Sequence, residues 1–175
     1  SFPFHLYFGW VESRSYIYHM SRKSSINKVK KESLKSGDIE SALCMHLYEK
    51  RHSPITTRFK GMGLQECDVV SVSSSGYIYE YEIKVSRGDF RKDFIKEKHE
   101  YMAEGKSTRI RKGEVQYLSP SYFSFVVPEG LVQPDEVPEY AGLVYMTERG
   151  TFEVAKKAPL LHKEKATEKF VRQLA

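Results

Sequence analysis

Apolar and polar positions alternate most regularly between residues 66 and 85, where "ECDVVSVS" and "YIYEYEIKV" flank a short connection, "SSSG". Side chains on a strand point to opposite faces in turn. In the first run Glu66, Asp68, Val70 and Val72 therefore share a face. In the second, Tyr79, Tyr81 and Ile83 make an apolar face, and Glu80, Glu82 and Lys84 an ionisable one. Two such runs around a glycine-bearing turn predict an antiparallel hairpin, whose register the four-residue turn leaves open.

Elsewhere the period lengthens. Ile39, Leu43, Cys44 and Leu47 recur at helical spacing in "IESALCMHLYEKR", after a Ser36-Gly37-Asp38 turn that ends in an N-cap and ahead of Pro54. "PITTRF" predicts a short strand, and "KGMGL" a connection. Ser86 and Asp89 predict a capping box with Asp in the usual Glu position. It opens a helix that runs to about Glu104, with Phe90, Phe94 and Tyr101 on one face and Gly105 as its stop. A basic loop follows, then "YFSFVVP", dense enough for a buried strand. Pro128, Pro134 and Pro138 predict irregular chain, "AGLVYMTERGTFEVAKKAP" a hairpin through Arg149-Gly150, and "KEKATEKFVRQLA" a closing amphipathic helix. Residues 1–35 read as an aromatic and basic extension with one hairpin, and residues 36–175 as the folded domain. A local hairpin followed by a helix that crosses to a further strand implies an α/β fold, with a mixed central sheet flanked by helices.

Composition narrows the class. The chain has 175 residues, 40% of them hydrophobic and 29% charged, enough for one domain with a real core. No apolar run approaches the roughly 20 residues of a membrane helix, and no charged leader precedes a long apolar stretch, so the expected home is the cytoplasm without a membrane partner. Cys44 and Cys67 are too few for a disulfide framework, and neither belongs to a C-x-x-C pair. The six histidines, at 5, 19, 46, 52, 99 and 162, lack metal-ligand spacing and read as surface or packing residues. Gly61-Met62-Gly63 is too short for a phosphate-cradling loop. The net charge of +5 is uneven: Arg22, Lys23, Lys28, Lys30, Lys31 and Lys35 face only Glu32, and "KSTRIRKG" covers 106–113. Such runs suit a polyanion, but they are equally a solvated face.

The candidate chemistry lies in the central hairpin. Asp68 has the parity to join Glu82 and Lys84 on one face. Two carboxylates supply hard oxygen ligands for Mg²⁺ or Mn²⁺. A neighbouring ammonium can position water, stabilise charge on a phosphate or, if its pKa is lowered, remove a proton. A Glu-x-Lys on a strand is, taken alone, a solvent-facing pair that contributes about 0–1 kcal/mol.

Asp68 followed by Glu82-Ile83-Lys84 resembles the D…(E/D)-x-K signature of the PD-(D/E)XK nuclease superfamily. That superfamily's core order of helix, three strands, helix and strand matches the elements above. "EIKVSRGDFRKD" is similar, more narrowly, to the E-I-K-x-S-x-x-D-F-x-x-D stretch of its MmcB-like group, which is assigned to DNA repair. "YFSFVVPEG", "AGLVY", "RGTFEVAKKAP" and "KFVRQLA" echo the order of that group's second half, so the resemblance covers roughly residues 40–175. It implies a restriction-endonuclease-like core. It also implies metal ligation by Asp68, Glu82 and the Ile83 carbonyl, a catalytic Lys84, and an acidic residue of the first helix, Glu40, near the metal. Ser86, Asp89, Phe90 and Asp93 match the motif too, although capping and packing account for them. Three features depart from the pattern: residues 1–35 have no counterpart, the basic segment 106–113 is long, and Glu66-Cys67 replaces the proline ahead of the Asp.

The expected activity is metal-dependent hydrolysis of DNA phosphodiesters, by an endonuclease of repair or processing, with RNA as a second candidate substrate and a homodimer as a candidate assembly. Arg58, Lys60, Arg87, Arg91 and Lys92 neighbour the hairpin in sequence and are the expected backbone contacts. A non-catalytic nucleic-acid-binding module is the alternative. The third reading is a structural protein whose charged strand faces water.

Overall fold

The computed structural model describes residues 34–175, so the hairpin expected in the N-terminal extension lies outside the described residues. The first helix, α1 (Ser36–Glu49), begins earlier than its apolar spacing suggests. Asp38, expected as the N-cap, is instead inside the first turn, where its carboxylate accepts the Lys35 N–H at 3.2 Å and lies near the positive pole of the helix. Ile39, Leu43 and Leu47 are its buried stripe, as the spacing predicts.

Three strands follow: β1 (Ile55–Gly61), β2 (Leu64–Val72) and β3 (Ile78–Ile83). The β2–β3 hairpin is antiparallel, with Val69 opposite Tyr81, Val70 opposite Glu80 and Val72 opposite Ile78. Then come helices α2 (Arg87–Asp93) and α3 (Lys98–Ala103), and two short strands, β4 (Thr108–Arg111) and β5 (Glu114–Tyr117). β6 (Tyr122–Pro128), β7 (Gly142–Met146), β8 (Phe152–Lys156) and α4 (Glu168–Leu174) complete the chain. The main sheet has six strands in the order β1-β2-β3-β6-β7-β8, parallel where β6 meets β3 and β7 and antiparallel elsewhere. This is an α/β fold on a mixed sheet. Among the described residues no helix is long and apolar enough to cross a membrane.

Both faces of the sheet are covered. On one, Ile39, Leu43 and Leu47 of α1 pack on Val69, Tyr81, Ile83 and Val126. On the other, Phe90 and Met102 pack on Phe123, Phe125 and Leu143, while Phe170 and Leu174 of α4 pack on Val70, Val72 and Ile78. The ionisable face of β3 lies on this second side. Glu80 and Glu82 are each 1% exposed and Lys84 9%. The reading of a charged strand that faces water is therefore wrong, because α2 and α3 cover it.

Three other expectations are corrected. The helix foreseen from 86 to 104 is two helices. Past Asp93 the backbone bonds shorten to i→i−3, Lys96 N–H to the Asp93 carbonyl at 3.0 Å and His99 N–H to that of Lys96 at 3.1 Å, which tightens the turn. The tighter turn sends Lys98, His99 and Met102 into the interior and leaves Tyr101 half-buried, its hydroxyl donating to Glu97. The predicted ends do hold. Ser86 caps α2 by accepting the Asp89 N–H at 3.1 Å. At Gly105 (φ +68°), bonds from Gly105 N–H to the Met102 carbonyl and from Lys106 N–H to that of Tyr101 close α3.

The basic segment 106–113 supplies the first strand and the turn of a two-stranded ribbon completed by β5, because Lys112 (φ +53°) and Gly113 (φ +77°) make the two-residue turn that suits strand twist. The closing helix is shorter than foreseen. Its cap is Thr167, whose hydroxyl accepts the Phe170 N–H at 3.2 Å, so residues 163–166 lie outside it. The hairpin through Arg149-Gly150 forms as expected between β7 and β8.

Candidate active site

At the end of β3 the ladder with β2 has run out, and a side chain takes its place. The last pair is Val69 with Tyr81. One residue beyond, Asp68 turns its Oδ2 onto the Ile83 N–H at 2.7 Å. This fixes the carboxylate at the mouth of a 320 Å³ cleft whose walls include Asp68, Ile83, Lys84, Lys92, Asp93 and Lys96. Burial, and then the Glu82 charge, push the Asp68 carboxyl up from its ordinary value, opposed by the Ile83 N–H and by Lys84 and Lys96.

Behind the cleft lies a buried network of charges. Glu82 accepts from Lys84 Nζ at 2.9 Å, from Lys96 Nζ at 3.3 Å and from Lys98 Nζ. Lys98, 2% exposed, also donates to Glu80 at 2.7 Å and to the Glu66 carbonyl at 3.3 Å. Asp93 Oδ1 is 2.7 Å from Lys84 Nζ and 2.6 Å from Lys96 Nζ; neither approach is aligned as a hydrogen bond, so these contacts are ionic. Its other oxygen meets His99 Nε2 at 2.8 Å, and His99 Nδ1 meets the Tyr140 hydroxyl at 2.9 Å. Three carboxylates thus face three ammonium groups. Buried charges need such pairing, since desolvation otherwise costs several kcal/mol per ion.

The proton affinities follow from it. Burial acts on the Asp93 carboxyl in the upward direction, but its hydrogen bond with His99 and its ion pairs with Lys84 and Lys96 outweigh this and hold it well below the usual carboxylate range. Glu82 is lowered in the same sense, Lys98 and Lys84 outweighing its burial. Glu80 is raised, because burial prevails over Lys98. Lys84 and Lys98 move up: burial alone would lower both, and their carboxylate partners overcome it. Lys84 is thus a fixed cation, and the suggestion that it removes a proton as a neutral amine does not suit its surroundings.

The residues singled out in the sequence divide accordingly. Asp68, Ile83 and Lys84 meet in the cleft, with Glu82 directly behind them. Glu40 instead turns toward Arg58, 3.8 Å away, and α1 contributes Ser36 to the cleft wall. Of the expected phosphate contacts, Lys92 stands on the cleft rim, while Arg58, Lys60 and Arg91 are exposed elsewhere. Arg87 is already engaged, with the Leu131 carbonyl at 2.9 Å and with the Glu136 carboxylate. Asp93 entered the sequence reading only through capping and packing, His99 as a packing residue, and Lys96 and Lys98 not at all. One signal was available: Lys98 falls four residues after Phe94 on the helical stripe begun by Phe90, where a charge has no place without a partner.

Hard oxygen donors lining the cleft are the Asp68, Asp89 and Asp93 carboxylates and the main chain at Ile83. Asp93 is engaged by Lys84, Lys96 and His99, and Asp89 accepts from the Ser86 hydroxyl, which leaves Asp68 and Ile83 as the donors open to a cation. Among the described residues no three His, Cys, Asp or Glu side chains converge to hold a metal. A donor set this small suits a cation that keeps most of its water, as Mg²⁺ does. Glu82 can contribute only by releasing an ammonium. Lys96, the most exposed of its three lysines at 37%, is the one with a path to solvent.

Fold and cleft together describe an α/β domain with a charged site at one end of a mixed sheet. No family model and no curated protein matches the chain. A solved structure does: the SPO1766 protein of unknown function from Silicibacter pomeroyi, with a TM-score of 0.53 and 20% identity over 81% of this chain and 82% of that one. The likeness is one of fold.

Proposed function

We propose that the protein is a metal-dependent nuclease with a PD-(D/E)XK core, hydrolysing DNA phosphodiesters in repair or processing, as an endonuclease. The observation that carries this reading is the meeting of Asp68, Ile83 and Lys84 in one open cleft, with Glu82 behind them. The order α1, β1, β2, β3, α2–α3, β6 supports it, since it is the element order of that core. Asp68 and the Ile83 carbonyl would hold Mg²⁺ or Mn²⁺, with Glu82 joining when Lys96 withdraws. A divalent cation bound there supplies Lewis-acid polarisation of the phosphate and a more acidic water. The chain's own share is electrostatic. Lys84, held cationic between Glu82 and Asp93, faces the charge that grows on the phosphate, and Lys92 on the rim holds a neighbouring phosphate.

A second reading has an observation of its own. Glu82 is already neutralised by Lys84, Lys96 and Lys98, as suits a nucleic-acid-binding module that keeps the fold without hydrolysis. Asp68→Asn separates the two, because it preserves the acceptor for Ile83 while removing the charge. A nuclease loses turnover and binds DNA as well or better, as repulsion of phosphate falls. A binding module shows no hydrolysis in wild type at any Mg²⁺ or Mn²⁺ concentration.

A further inference from the structure

We infer that the β4–β5 ribbon is a contact for duplex DNA, separate from the cleft and placed to hold the same duplex. The inference rests on the nucleic-acid reading of the protein but not on hydrolysis. Pairing in the ribbon sets Arg109 opposite Gln116 and Arg111 opposite Glu114 on one face, and Thr108 opposite Tyr117 and Ile110 opposite Val115 on the other. Val115 and Tyr117 pack on the core, so the arginine face is the outer one. Arg109, Arg111 and Lys112 are exposed. The one acid on that face, Glu114, is neutralised by Lys169 from α4. Arg109 Nε donates to Gln116 at 3.0 Å, which steadies the guanidinium, and Arg111 and Lys112 have no carboxylate partner among the described residues. What is left is a ribbon with a net positive outer face that nothing among the described residues balances.

Its placement ties it to the cleft. The Tyr117 N–H donates to the Met62 carbonyl at 2.7 Å, which docks the ribbon on the β1–β2 turn. Gly63 permits this approach: its φ is +95°, and a Cβ there would lie 2.6 Å from the Tyr117 carbonyl oxygen. Because β2 and β3 are antiparallel, that turn stands at the same end of the sheet as Asp68 and the close of β3. A two-stranded ribbon fits the major groove of B-form DNA, whereas the major groove of A-form RNA is too deep and narrow to admit side chains. Arginine is also the side chain best suited to paired bonds with phosphate.

The test is binding of a fluorescently labelled DNA duplex, and of an RNA duplex of the same sequence, by fluorescence anisotropy in EDTA over a range of NaCl. Wild type is compared with the variant Arg109→Ala/Arg111→Ala/Lys112→Ala, whose exposed positions leave the core untouched. The expected result is DNA binding weakened about tenfold or more near 0.1 M salt, with the slope of log K against log salt reduced by about 2–3. RNA should bind wild type more weakly and lose less. Equal affinity and slope for variant and wild type would overturn the inference, as would equal losses for DNA and RNA. Loss of DNA binding by the variant of a protein that cleaves nothing would leave the ribbon contact standing and remove the nuclease reading.

Discussion

Lys98 Nζ lies between two buried carboxylates, 2.7 Å from Glu80 and in contact with Glu82 across the strand face. The lysine is only 2% exposed, so its charge depends on the pair that brackets it. The relationship sets the first prediction. Lys98→Met strands Glu80 without a cation and should cost about 3–5 kcal/mol of unfolding free energy by urea titration. Glu80→Gln/Lys98→Met should recover most of that loss, because Glu82 keeps Lys84 and Lys96 as partners. A double variant no more stable than the single one would count against charge pairing as the cause.

The pH dependence has two signs. Asp93 and Glu82 are held below ordinary carboxylate values, so the stability they contribute is present above the unfolded values of about 4 and is lost as pH falls through those values toward the folded ones. Glu80, shifted upward, partly offsets that acid loss. Lys84 and Lys98 are shifted upward as cations, so their contribution is complete below the unfolded lysine value of about 10 and is lost as pH rises through the folded one. Stability measured against pH should be a plateau with two falling limbs. Asp93→Asn should lower the plateau and flatten the acid limb; an acid limb of unchanged steepness would mean that other carboxylates govern it.

Lys96 competes with any cation that approaches Glu82. Calorimetric titration with Mn²⁺ should show about tenfold tighter binding for Lys96→Met than for wild type, while Lys96→Arg stays weak because it keeps the charge. Unchanged affinity in Lys96→Met would place the cation away from Glu82.

Gly63→Ala brings a Cβ against the Tyr117 backbone and imposes a left-handed φ on alanine. It should cost about 1–3 kcal/mol and raise hydrogen exchange in the ribbon before the main sheet responds. Uniform exchange throughout the domain would show that the ribbon is no separate unit.

Much of this organisation is legible in the sequence, for physical reasons that also mark where legibility stops. The β2–β3 hairpin was readable because period-two alternation fixes which residues share a face, and Asp68, Glu82 and Lys84 have matching parity. The same alternation could not say whether the charged face met water. That depends on α2 and α3 folding back over it, which is a tertiary event. The break after Asp93 was hidden because Phe90, Phe94 and Tyr101 mimic one continuous stripe, and the i→i−3 bonds that interrupt it have no signal in the apolar spacing. Glu40 came from the resemblance and from no local pattern, and helical spacing does not give a residue's neighbour, which for Glu40 is Arg58. In the basic segment the charges were plain, and the Lys112-Gly113 turn that makes a ribbon of them was the overlooked cue.

The nuclease reading stands or falls on hydrolysis of phosphodiesters at the Asp68 cleft. Its most direct test is cleavage of labelled single-stranded, duplex and forked DNAs with Mg²⁺ or Mn²⁺, by wild type, Asp68→Asn and Lys84→Met, with folding of each verified by urea titration. The expected result is metal-dependent cutting of at least one substrate by wild type and a loss of about a hundredfold or more in both folded variants. No cutting by wild type under any condition, or cutting that survives Asp68→Asn, would contradict it.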